Sequence, residues 1–229
     1  MAAGKPIRLL RDGAVLSGAA FTALTLTLFF PCLFLVLAQV LSRIPSASDL
    51  QAIGVALLAA LLYAVPGIWM HEASHYVAFR AFGLRARFTR WVAAVPLGVR
   101  TGGIVPRRAY LWSLVMPTLA GVTLAAPVIV SFLMGASLSL AAASLGFVGA
   151  FMVFGASDDL GRVFVILRRP EWPAFEEDES GGAFRPVGHR EWLTVTPFRA
   201  AGEWTSKAIY ALLIVFVLLL GLNIPALLF

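Results

Sequence analysis

Within Trp69-Met70-His71-Glu72-Ala73-Ser74-His75, two histidines stand four residues apart and a glutamate follows the first directly. On a helix, positions i and i+4 point the same way, so both imidazoles can reach one ion. Glu72 is displaced enough to address a water on that ion rather than the ion itself. Zinc lowers the pKa of such a water toward neutral, and a neighbouring carboxylate can take its proton and pass it to a leaving amine. Those are the parts that peptide hydrolysis needs.

Catalytic zinc takes a third protein ligand and keeps a fourth position open. Cys32 is the single cysteine and lies in the first apolar run, and the remaining histidine, His189, lies in a polar loop. The other carboxylates within apolar sequence are Asp158 and Asp159. Either could be the ligand while its neighbour forms a helix-end ion pair with Arg162 or Arg168. A charge on a transmembrane helix costs about 3 kcal/mol even on the lenient insertion scale, and such residues are functional by default.

The elements that must position these groups follow from composition. Of the 229 residues, 60% are hydrophobic and 13% charged, which excludes an ordinary soluble domain. Apolar runs over residues 14–41, 50–82, 109–134, 138–167 and 208–229 are each long enough to cross about 30 Å of hydrocarbon as a helix. The short alternating segments of a barrel are missing. The expected fold is all-α: one polytopic transmembrane bundle of five helices over residues 1–229. An interfacial loop or β-hairpin at 83–108 and a second cytoplasmic loop at 168–206 complete it. The histidine pair and the Asp pair lie at similar distances from the outer starts of their helices, near Leu50 and Leu138. Those helices run in the same sense, so both pairs should sit at similar depth.

Lys5, Arg8 and Arg11 precede a run about twice the length of a signal-peptide core and without a small-x-small cleavage site, so a retained first helix is expected. With the N-terminus inside, five crossings leave Arg43 alone outside and the other 17 of the 18 Lys and Arg at cytoplasmic ends or loops. The net charge of +6 therefore reports topology and anionic lipid headgroups, not a nucleic-acid partner. Glu176, Glu177, Asp178 and Glu179, followed by Ser180-Gly181-Gly182, read as a solvated linker. Gly146-x-x-Gly149 and Gly155 suggest close helix contacts in the fourth run. No motif specifies an oligomeric state.

His71-Glu72-x-x-His75-x-x-Ala78-x-Arg80-x-x-Gly83-Leu84 resembles the zinc-motif helix of the site-2-protease family of intramembrane metalloproteases and of the related zincin membrane peptidases. Met116-Pro117-Thr118-Leu119-Ala120-Gly121 is similar to the start of that family's next helix. Asp159-Leu160-Gly161-Arg162-Val163 is similar to its Asp-Gly-Gly-Arg-Val stretch, whose Asp is the third ligand. The resemblance implies zinc on His71, His75 and Asp159, with Asp158 as the alternative third ligand, and Glu72 as general base and acid. It implies a membrane-spanning or membrane-proximal peptide or protein as substrate, cut near the cytoplasmic face of what is expected to be a bacterial inner membrane. The chain departs from the pattern in having Phe154-Gly155-Ala156-Ser157-Asp158 where the family has an Asn and prolines, and Leu160 where it has Gly.

Three other functions share these residues: a non-catalytic regulator that binds metal and a partner, a metal carrier, and a zinc hydrolase of a non-peptide substrate. Glu72 is not needed to hold an ion, which counts against pure binding. Five crossings without an internal repeat count against a transporter.

Overall fold

The computed structural model describes residues 4–42, 49–92, 94–134, 139–178, 183–190, 192 and 193. The helix expected at 208–229, the outer loop around Arg43, and Glu179 with Ser180-Gly181-Gly182 lie outside the described residues. The chain is mostly helical with two small sheets.

Helix α1 (Gly4–Leu24) runs through a π-helical turn, Thr25–Phe29, into α2 (Phe30–Leu41). Pro31 lacks the N–H that would bond the carbonyl four residues back, a common cause of such an interruption. Helix α3 (Asp49–Ala81) carries the histidine pair in its last third. It ends in a Schellman motif: Gly83, with φ 76°, donates to the Arg80 carbonyl and Leu84 to that of Phe79. Gly83-Leu84 thus has a structural reason to follow the motif, because only Gly takes that left-handed position without a steric penalty and Leu84 tucks against the core.

The loop that follows is a hairpin, as its composition suggested. Strands β1 (Arg87–Val92) and β2 (Val95–Arg100) pair antiparallel with Arg87 opposite Arg100. Strand β3 (Ile104–Pro106) leads into α4 (Arg107–Met134). Helix α5 (Leu140–Gly155) starts on Ser139, whose Oγ accepts from the Ala142 N–H, and α6 (Ser157–Leu167) follows it.

Two expectations are corrected. The run at 138–167 is not one helix: α5 and α6 meet at 45°. The break needs no proline. Gly155-Ala156 ends one helix, and Asp158 and Asp159 in the first turn of α6 favour a new N-terminus through its dipole. The segment after α6 is also not a solvated linker where it is described. Strands β4 (Ala174–Glu177) and β5 (Phe184–Pro186) form an antiparallel sheet in the order β3-β4-β5, and Trp172, Phe175, Phe184 and Leu193 are buried. Glu177 of the supposed linker holds the turn after β2, its Oε2 accepting from Thr101 N, Thr101 Oγ1 and Gly102 N at 2.8, 2.9 and 3.0 Å.

The apolar core has two parts. One joins α2, α4 and α5 through Cys32, Val36, Val128, Phe147 and Val153. The other lies under the histidine helix and joins Phe79, Tyr110, Leu114 and Ile166 to the small sheet. Between α4 and α5 the backbones approach closely: a Cβ on Gly149 would come within 2.5 Å of the Gly121 carbonyl oxygen and 2.9 Å of Ala125 N. Small residues permit that approach.

Segments Val15–Leu33 and Arg107–Ser131 are long and apolar enough to cross a membrane, and the bent pair α5-α6 makes a third crossing if it counts as one span. On α4, Trp112, Leu119, Val122, Val130 and Leu133 fall on one exposed face, opposite the buried Leu114, Val128 and Gly121. A helix apolar on all sides is either a core helix of a large protein or a membrane span.

Candidate metal centre

Three side chains from two helices converge. His71 and His75 lie one turn apart on α3, with 3.1 Å between their Nε2 atoms. Asp159, in the first turn of α6, places Oδ2 at 3.5 Å from His71 Nε2 and 3.3 Å from His75 Nε2. In a tetrahedron with bonds of about 2.0–2.2 Å, donor atoms stand about 3.3–3.6 Å apart. The triangle is of that size, and its donor set of two imidazoles and a carboxylate is that of catalytic zinc.

The immediate surroundings fit the same ion. Asp159 Oδ2 is buried, with only the two imidazole nitrogens before it among the described residues. Such an acceptor is costly unless something positive meets it. The cavity also holds Glu72, Asp158 and Arg162. Three carboxylates against one guanidinium leave two negative charges over when all are ionised, which a divalent cation balances. The residues present therefore fit zinc.

Outer contacts aim the ligands. His71 Nδ1 lies 3.1 Å from the Met152 carbonyl oxygen, so the proton sits on Nδ1 and the Nε2 lone pair faces the other ligands. That carbonyl is in the last turn of α5, where it also accepts from Ala156 N–H at 3.2 Å. Gly155 leaves the His71 ring its place, because a Cβ there would already lie 3.4 Å from Nδ1. Arg162 Nη1 stands 3.6 Å from Asp159 Oδ1, one turn along α6, which leaves Oδ2 for the histidines.

Asp158, the alternative ligand, points elsewhere. Its Oδ1 accepts from Ser17 Oγ of α1 at 3.1 Å. Glu72 lines the cavity beside the ligands. His189 lies apart, its ring 5.7 Å from that of Trp172.

The cavity holds about 240 Å³ and is lined on its apolar side by Phe79, Leu97, Val99, Leu114 and Phe184. Helix α6 is fixed from below by Arg107, which donates through Nη2 to the Ile166 carbonyl at 2.7 Å and through Nη1 to that of Arg169. A guanidinium on the last carbonyls of a helix satisfies them and complements the helix dipole.

Sequence reasoning missed three contributors: Arg107, Ser17 and Tyr110. Arg107 had been read only as one of the cytoplasmic charges. Tyr110 is 1% exposed, and its buried Oη lies against the Arg162 guanidinium. No motif marks any of the three, since their partners are far away in sequence.

Residues 64–172 match the family described as “Putative zincin peptidase”. The matched stretch begins inside α3, seven residues before His71, and ends just past α6, so it holds all three converging side chains. No curated protein and no solved structure matches the chain. The family match and the His71-His75-Asp159 group together support a zincin-like metallopeptidase.

Proposed function

We propose that the chain is a membrane-embedded zinc metallopeptidase that hydrolyses peptide bonds of membrane-spanning or membrane-proximal substrates near the cytoplasmic face. The observation that carries this reading is Glu72 in one cavity with three candidate ligands that converge from two helices. A pure metal-binding protein has no use for that carboxylate. The exposed apolar face of α4 favours lipid around the site, and we read α3 and the 208–229 segment as further crossings of a five-helix bundle, with the N-terminus inside.

His71, His75 and Asp159 would hold the zinc. Bound there, it would supply Lewis acidity, acidifying water and polarising a carbonyl. Glu72 takes the proton of the attacking water and returns it to the amine that leaves. Arg162 holds Asp159 in place and the His71–Met152 contact holds the imidazole. The apolar wall from Phe79 to Phe184 receives an apolar residue beside the cut and keeps bulk water away. Strand β2, which borders the cavity through Leu97, Gly98 and Val99, offers main-chain groups to an extended substrate.

The test is cleavage of a quenched-fluorescent peptide library by the zinc-loaded protein in detergent, with Glu72→Gln as the control. Turnover that needs both zinc and Glu72 supports the reading. A zinc-loaded wild type that cleaves nothing, or as fast in Glu72→Gln, sinks it.

A further inference from the structure

We propose that Tyr110 is a catalytic residue, its hydroxyl donating a hydrogen bond to the scissile carbonyl oxygen as that oxygen takes up negative charge. The proposal rests on the peptidase reading above and names the group that completes its site.

The Tyr110 ring cannot turn away from the cavity. It is packed between Phe175 and Phe184, with centroid separations of 4.8 and 4.4 Å, inside the core beneath the histidine helix. Tyr110 nevertheless borders the cavity that Glu72, His71, His75 and Asp159 line, on the α4 wall. The Arg162 guanidinium lies against the Tyr110 hydroxyl and, carrying only N–H groups, can only donate to it, so the hydroxyl's own proton meets no acceptor among the described residues. Phenylalanine would fill the same space without burying a hydroxyl proton that has no acceptor. The hydroxyl makes sense if that acceptor arrives with the substrate.

The chemistry needs such a donor. As the water oxygen bonds to the carbonyl carbon, its proton passes to Glu72 and the carbonyl π pair moves onto the carbonyl oxygen. A fixed donor aimed at that oxygen stabilises the charge where it develops. Tyr110 keeps its own proton throughout. When the pair returns, the C–N bond breaks and the nitrogen takes the proton from Glu72. The Arg162 guanidinium adds a positive potential on the same side.

The experiment compares wild type with Tyr110→Phe, both loaded with zinc, in three measurements: zinc affinity, kinetics on the peptide library, and affinity for a phosphoryl dipeptide whose tetrahedral oxygens copy the charged carbonyl. The expected result is unchanged zinc affinity, a kcat lower by about 10²–10³-fold with KM altered less than about threefold, and phosphoryl-dipeptide binding weakened by a similar factor to kcat. An unchanged kcat overturns the proposal. So does a rise in KM alone, or a loss of zinc affinity, which would make Tyr110 a support for Arg162 and Asp159. If zinc-loaded wild type cleaves no peptide, the peptidase reading fails by itself. The phosphoryl-dipeptide affinities then decide on Tyr110, and equal values in the two proteins overturn it.

Discussion

The Nδ1–H of His71 is donated to the carbonyl oxygen of Met152 at 3.1 Å, so a ligand on α3 is oriented by the backbone of α5 at the point where that helix ends. The imidazole is aimed by a group that no substitution of Met152 removes. What can disturb it is the neighbouring glycine.

Gly155→Ala is expected to keep zinc, because the added Cβ would sit at 3.4 Å from the ring, in ordinary contact. Gly155→Val adds two further methyls against the imidazole. Its zinc affinity should fall about 10- to 100-fold, the cost of losing an outer partner of a ligand. Competition with a calibrated chelator measures both.

Asp158 and Asp159 should separate cleanly in metal content. Asp159→Ala removes the carboxylate that meets both imidazoles and should lose zinc by more than an outer-partner substitution does. Asp158→Ala breaks only the bond to Ser17 and should retain near-stoichiometric zinc. Elemental analysis of the purified variants decides, and equal zinc in the two would contradict the geometry.

Arg107→Ala leaves the end of α6 uncapped. Arg107 is half-buried, so the loss is placed at the low end for charged hydrogen bonds, about 1–2 kcal/mol. For a chain of this size that lowers Tm by roughly 3–6 °C. Zinc should be held more weakly as α6 loosens, and Arg107→Lys should restore only part, lacking the fork that reaches two carbonyls. Thermal unfolding in detergent, with and without zinc, checks this.

Two glycines should respond in opposite directions. Gly149→Val forces side-chain atoms into the backbone of α4, where even a Cβ would lie 2.5 Å from Gly121 O, so the folded yield should collapse. Gly54→Ala meets nothing within 4 Å and should stabilise α3 by about 0.5–1 kcal/mol. Yield by size-exclusion chromatography and Tm report the two effects.

The histidine helix was legible because three constraints agree on it: the i, i+4 spacing, an apolar run of sufficient length, and Gly83 as a stop. That an aspartate near residue 159 would lie at the depth of the histidines followed from counting residues along apolar runs. The bend after Gly155 was not legible, since Phe154 to Ser157 are as apolar or small as the helix before them and the break contains no proline. The small sheet was misread because Glu176, Glu177 and Asp178 look solvated. Yet Glu177 points back to the Thr101 turn, and the alternating Phe175 points into the core. A two-residue period over four residues is too short to outweigh four adjacent acids.

Because the two histidines come from α3 and the aspartate from α6, the ion site does not exist on any shorter stretch of chain. A nascent chain that has made only its histidine helix holds two of the three candidate ligands. The three-residue group can be complete only after α4, α5 and the bend have been made.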